Sequence, residues 1–108
     1  MSMSALEFAA VRHNLGLSFE ELAHILGVTL RSVQYWESGR SKVPQGIIEA
    51  LDRLDRENLR LAISMAEDEG IISLSRSRAD YPDRPRGFYI AALGRAISLN
   101  PDLMAEWT

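Results

Sequence analysis

Apolar residues recur at spacings of three and four along most of this chain, with breaks at a few glycines and prolines, which predicts a mainly helical protein. Leu6, Ala9 and Ala10 mark a first helix over about 4–14, with Ser4 and Glu7 as a capping box and Leu15-Gly16 as its close. Leu22, Ala23, Ile25 and Leu26 mark a second helix, capped by Ser18 and Glu21. Gly27 stands where that helix must end and the backbone must turn, a conformation that favours a residue without Cβ. Thr29 can then cap a third helix whose inward side is Val33 and Trp36. The small Ala23, the turn glycine four residues on and the apolar residue six further on fit a helix-turn-helix over residues 18–39.

The pattern changes after Gly39. Arg40, Ser41, Lys42 and Val43 form a basic loop, and Pro44 suits the first position of a new helix. No Gly or Pro occurs from 47 to 69, so one long helix is predicted, ending at Gly70. Ile47, Leu51, Leu54, Leu61 and Met65 form its stripe, widened by Ile48, Leu59, Ala62 and Ala66. Asn58 interrupts the stripe, as an exposed turn or as a polar register residue between paired helices. At about 1.5 Å per residue this helix outruns a small N-terminal domain, so its second half needs a partner surface.

Ile72 and Leu74 alternate with polar residues over 71–75 and predict a short strand. A single strand is not stable alone, and no second strand of similar quality is visible. Antiparallel pairing with the same strand of a second subunit is therefore expected. Phe88, Ala92, Leu93, Ala96 and Leu99 predict an amphipathic helix over 88–99, broken at Asn100-Pro101 and followed by a last turn or two. The expected organisation is a helix-turn-helix domain at 1–56 and a dimerisation region at 57–108, whose interface core is Leu61, Met65, Ile72, Leu74, Phe88 and Leu93.

Charge modifies this picture. The net charge of −3 disfavours a non-specific nucleic-acid binder, which would be basic overall. Locally, however, Arg31, Arg40 and Lys42 face only Glu37 within residues 31–42. Screening limits charge effects to about 10 Å, so one basic face on an acidic body is compatible with the sum. Glu67, Asp68 and Glu69 read as a solvated helix end that opposes the helix dipole, with Arg76 or Arg78 to compensate.

Other chemistry is thin. With no cysteine there is neither a disulfide framework nor a thiolate metal site, and His13 and His24 stand apart from other ligands, so no metal is expected. The serines lack a His–Asp context and no glycine-rich phosphate loop exists, which points to no enzyme, no cofactor and no small-molecule substrate. The first residues lack a basic stretch followed by a long apolar run, and no segment is long enough to span a bilayer. A soluble, cytoplasmic protein without membrane contact is the expectation.

The run L-x-x-x-R-x-x-x-G-L-S-x-E-E-L-A-x-x-L-G-V-T-x-x-S-V-x-x-W-E-S-G-R-x-x-V-P resembles the phage repressor/Cro-like helix-turn-helix superfamily over about residues 6–52. The portion Q-Y-W-E-S-G-R-S-x-V-P is more similar to the small anti-CRISPR-associated regulators and their bacterial relatives. The resemblance implies a lambda-repressor-like domain with a long fourth helix, then a C-terminal dimerisation region with one short strand and one or two helices. It also implies that Arg12 pairs with Glu37 at the end of the recognition helix; on the residues alone, Arg12 could equally be a solvated surface arginine. One departure stands out: Phe19 occupies a position where the superfamily often carries a glutamine that anchors on a phosphate.

On a third helix buried through Val33 and Trp36, residues Leu30, Arg31, Gln34 and Tyr35 face outward as base readers. Ser18, Ser32, Ser38, Arg40 and Lys42 suit phosphates, together with backbone N–H groups at helix starts. Two functions fit: a homodimeric (auto)repressor on an inverted repeat of double-stranded DNA, or the antitoxin of a toxin–antitoxin pair. A folded C-terminal region favours the first, and an unpaired flexible one the second.

Overall fold

A computed structural model describes residues 2–108. The order of elements is α1 (Ala5–Asn14), α2 (Phe19–Leu26), α3 (Leu30–Ser38), α4 (Gln45–Ala66), β1 (Ile71–Leu74), α5 (Arg86–Leu99) and β2 (Met104–Trp107), with one turn of 3-10 helix at Arg78–Asp80. The chain divides into two compact units, one through Asp55 and one from Arg56 to Thr108, and α4 contributes to both. The mainly helical class, the helix-turn-helix and the long fourth helix are as expected.

In the first unit each of the three short helices begins where a side chain satisfies its free N–H groups. Ser4 with Glu7 and Ser18 with Glu21 form complete capping boxes, and the Thr29 hydroxyl accepts from the Ser32 N–H. Gly27 closes α2 at φ 68°, in the left-handed region, and so turns the chain into α3. Phe8, Leu15, Leu17, Leu22, Val33 and Trp36 are buried, with Ile48, Leu51 and Leu54 of α4. Phe8 meets Trp36 edge to face, ring centroids 5.9 Å apart. The inward residue of α1 is therefore Phe8; Leu6, expected inside, is 79% exposed, because the helix turns the Phe8 side to the core.

The second unit departs most from the sequence reading. The latter half of α4 is covered by α5: Ala62 and Met65 pack with Ala92 and Ala96, flanked by Leu61, Ile72, Tyr89, Leu93 and Leu103. Small residues at Ala62, Ala92 and Ala96 leave room for this close packing. The overhang expected to need another subunit is thus satisfied within the chain. Met65 (8% exposed) and Phe88 (1%), which the sequence pattern assigns to an interface core, lie in the interior of this unit. Leu99, expected on the inward side of α5, is 58% exposed.

The strand pairing is a second correction. β1 pairs in parallel with β2 of the same chain, in the register Ile71↔Met104 to Leu74↔Trp107, and the Thr108 N–H donates to the Leu74 carbonyl at 2.9 Å. The expected last helical turn is a strand, and the expected antiparallel partner from a second subunit is replaced by it on that edge. Parallel strands require a long crossover, and the connection carrying α5 supplies it. Asn58 is fully buried rather than an exposed turn: its Nδ2 donates to the Phe88 carbonyl at 2.9 Å, and Arg95 Nη1 donates to its Oδ1 at 3.3 Å.

The acidic stretch lies beyond the helix, since α4 ends at Ala66 and not at Gly70. Asn100 Nδ2 donates to the Ala66 carbonyl at 3.0 Å, and Asp68 accepts from the Gly70 N–H at 2.7 Å. Arg76, one of the two arginines expected to offset these acids, lies over the Trp107 ring at 4.8 Å. Arg84 forms a two-pronged pair with Glu57, at 2.8 and 3.0 Å, and that bond holds the guanidinium pKa above its ordinary value.

Candidate nucleic-acid interface

Val33 and Trp36 fix the orientation of α3 by burying one side of it. At 100° per residue the opposite side carries Arg31, Gln34, Tyr35 and Ser38, with Leu30 on its flank. Arg31 and Gln34 are exposed, Leu30 is 38% exposed, and Tyr35 is half-buried. These are the residues expected to read bases, and the structure brings them to one face. A short, polar, outward helix face of this kind presents an arginine fork and an amide, the two groups that match guanine and adenine edges in a major groove.

The end of α3 is built by its last turn. Gly39 takes φ 83°, the left-handed conformation that lets the chain fold back. The Ser41 N–H then donates to the Tyr35 carbonyl at 3.1 Å, and the Ser38 hydroxyl donates to the same carbonyl at 3.2 Å. Arg40 is carried over the Tyr35 ring, its guanidinium carbon 4.6 Å from the centroid. Among the described residues, Arg31, Arg40 and Lys42 make no ion pair with the chain's own carboxylates. Their positive charge is therefore available to an anion.

Behind this face, Arg12 ties α1 to α3. Its Nε and Nη2 donate to the two carboxylate oxygens of Glu37 at 2.7 and 3.0 Å, and its Nη1 donates to the Leu17 carbonyl at 2.9 Å. His13 Nε2 lies 3.1 Å from Arg12 Nη2, and the guanidinium covers the Phe19 ring at 4.2 Å. The pairing implied by the resemblance is therefore present. It also gives Phe19 a place: the ring that replaces a polar anchor serves as a platform for a buried arginine. Nothing in the sequence of Phe19 alone signals this, since the contact depends on Arg12 being drawn inward by Glu37 and Leu17.

The serines divide. Ser18 stands at the start of α2 with its oxygen accepting from the Glu21 N–H at 3.1 Å. Ser32, in the first turn of α3, shares a hydroxyl contact of 2.9 Å with Thr29. Ser38 stabilises the turn after α3, as described above. Lys42 is exposed in the loop before α4. The remaining expected residues lie in the second unit: Leu61, Ile72, Leu74 and Leu93 are half-buried there, beside the interior Met65 and Phe88.

Among the described residues, no group of histidines or acids could hold a metal ion, and no helix is long and apolar enough to cross a membrane. No family model matches the chain. It is similar to the Aca2 repressor of Pectobacterium phage ZF40, with 36% identity over 101 residues, which cover 93% of this chain and 78% of that protein.

Proposed function

This chain belongs to the same family as the Aca2 repressor, and from that premise we propose that it is a transcriptional repressor that binds double-stranded DNA through α3. The observation that carries the reading is the outward face of α3, which exposes Arg31 and Gln34, together with Arg40 and Lys42, cations without a carboxylate partner among the described residues. Arg31 reads a guanine and Gln34 an adenine, with Leu30 against a thymine methyl group. Ser18, Ser32, Arg40 and Lys42 contact phosphates, which position the helix without reading sequence. Ser38 joins them only by exchanging its bond to the Tyr35 carbonyl for a phosphate oxygen.

One recognition helix covers too few base pairs to define an operator, so the protein acts as a homodimer on an inverted repeat, its half-sites about 34 Å apart. Residues 57–108 supply the dimer contact. In support, among the described residues the exposed large apolar side chains other than Leu6 and Leu30 all lie in the second unit, among them Ile71, Ile97, Met104 and Trp107. The ordered strand–helix–strand arrangement there favours a repressor over an antitoxin, whose partner-binding segment would be unpaired.

Selection of bound duplexes from random DNA tests the reading, with an inverted repeat expected. Arg31→Ala and Gln34→Ala each cost about 1–3 kcal/mol on that site and relax preference at one definable position. Equal losses on scrambled DNA would reduce both residues to phosphate contacts. Met104→Glu in the full chain should lower the solution mass to that of a monomer; a persistent dimer would move the interface elsewhere.

A further inference from the structure

We propose that Tyr35 is a positioning residue, whose ring holds the Arg40 guanidinium on a fixed course so that Arg40 makes a directional contact with the DNA backbone. This rests on the reading of α3 as the DNA-binding helix and changes the role of Tyr35 within it. Three features converge on the pair. The guanidinium carbon lies 4.6 Å from the Tyr35 centroid, well within the range in which a cation is attracted to the ring face. The backbone does the same work: the Tyr35 carbonyl accepts from the Ser41 N–H and from the Ser38 hydroxyl, at 3.1 and 3.2 Å. The Arg40 N–H lies 3.4 Å from the Ser38 oxygen, and Gly39 at φ 83° permits the reversal. The residue that carries the ring is thus also the residue onto which the turn is fastened.

A second argument concerns what each group has left to offer. One face of the Tyr35 ring is covered by Arg40, and the side chain is half-buried, so the ring has little free face for a base. Arg40 has no carboxylate partner among the described residues, so its charge is not neutralised by the protein. An exposed arginine ordinarily loses rotamer freedom when it grips a phosphate. Stacking removes part of that freedom before DNA arrives, and the planar fork is then already aimed for a two-pronged contact. A lysine in this place would keep the charge but neither the fork nor the planar stack.

The test is a double-mutant cycle on the selected duplex with wild type, Tyr35→Leu, Arg40→Ala and the double variant, beside Tyr35→Phe and Arg40→Lys. Tyr35→Phe should bind within about twofold of wild type, since the ring face is kept. Tyr35→Leu should lose about two- to fivefold, the factor expected for an exposed cation–ring contact. Its salt slope should fall in the same direction as that of Arg40→Ala, and the double variant should bind no more weakly than Arg40→Ala alone. A purely structural role for Tyr35 would lower the unfolding midpoint and give losses that multiply with those of Arg40→Ala; that result overturns the proposal. A changed base preference in Tyr35→Leu, absent from Arg40→Ala, overturns it too and makes Tyr35 a reader. Arg40→Lys, which leaves Tyr35 untouched, should bind more weakly than wild type, and equal binding refutes the directional role even if Tyr35→Leu does not fold. If wild type selects no duplex, the DNA reading falls with the inference; multiplying losses on a well-defined site remove the inference alone.

Discussion

Each unit buries one polar side chain among its described residues, and the two are satisfied by different chemistry. In the first, Arg12 keeps its charge: a carboxylate, a backbone carbonyl and an aromatic face replace the water it has lost. In the second, Asn58 is neutral and fully enclosed, held by the Phe88 carbonyl and Arg95. A buried ion pair contributes little net stability because desolvation offsets the attraction, yet breaking it is expensive. A buried amide costs less to enclose and less to lose. Arg12 therefore acts as a latch that fixes α1 against the end of α3, beside the proposed reading face. Asn58 instead fixes one mutual register of α4 and α5, because only one alignment puts an amide opposite that carbonyl.

The largest expected effect separates the two. Arg12→Ala leaves Glu37 without its cation and the Leu17 carbonyl without its donor, and should cost about 3 kcal/mol in urea unfolding followed by Trp36 fluorescence in a Trp107→Phe background. The double change Arg12→Met with Glu37→Leu should recover most of that loss, since it removes both charges together. If the double variant is no better than Arg12→Ala, the packing around Phe19 and not the charge pair is what matters.

Asn58→Ala should cost about 2 kcal/mol, from a lost hydrogen bond and a small cavity, and the effect should appear as faster amide exchange in α5. Unchanged exchange there would remove Asn58 as the register residue. Ser18→Ala, which opens the capping box of α2, should cost about 1 kcal/mol. The residue before α5, Pro85, offers no side-chain cap, so Pro85→Ala should cost clearly less and mark the units as differently built at their helix starts.

The smallest effect is one of pH. The Glu7 carboxylate is held below its ordinary value of 4.5 by hydrogen bonds from Ser4, first from its backbone N–H and then from its side chain. A depressed folded-state pKa means stabilisation that is full above the unfolded value and is lost as pH falls through the folded one. The α1 cap should therefore loosen only below the usual glutamate range, seen as accelerated exchange of the Glu7 amide relative to Glu7→Gln. A loss beginning at higher pH would assign the effect to another group.

The sequence by itself determined the first unit almost completely, because its signals are local. Ser4 with Glu7, Ser18 with Glu21, Thr29 and Gly27 state helix starts and a turn within a few residues of where they act. Val33 and Trp36, three apart, then dictate which face of α3 is left for Arg31 and Gln34. What only the tertiary structure decided lies in pairings between distant residues. Met-Ala-Glu-Trp has no alternating pattern of its own and becomes a strand only because Ile71–Leu74 offers it a ladder. Asn58 looked like a gap in a stripe because its partners, Phe88 and Arg95, are 30 and 37 residues away. The stacking of Arg40 on Tyr35 spans only five positions, but it depends on the fold-back at Gly39 that places one over the other. Local capping chemistry is written in adjacent residues, whereas burial and strand pairing follow from which surfaces meet.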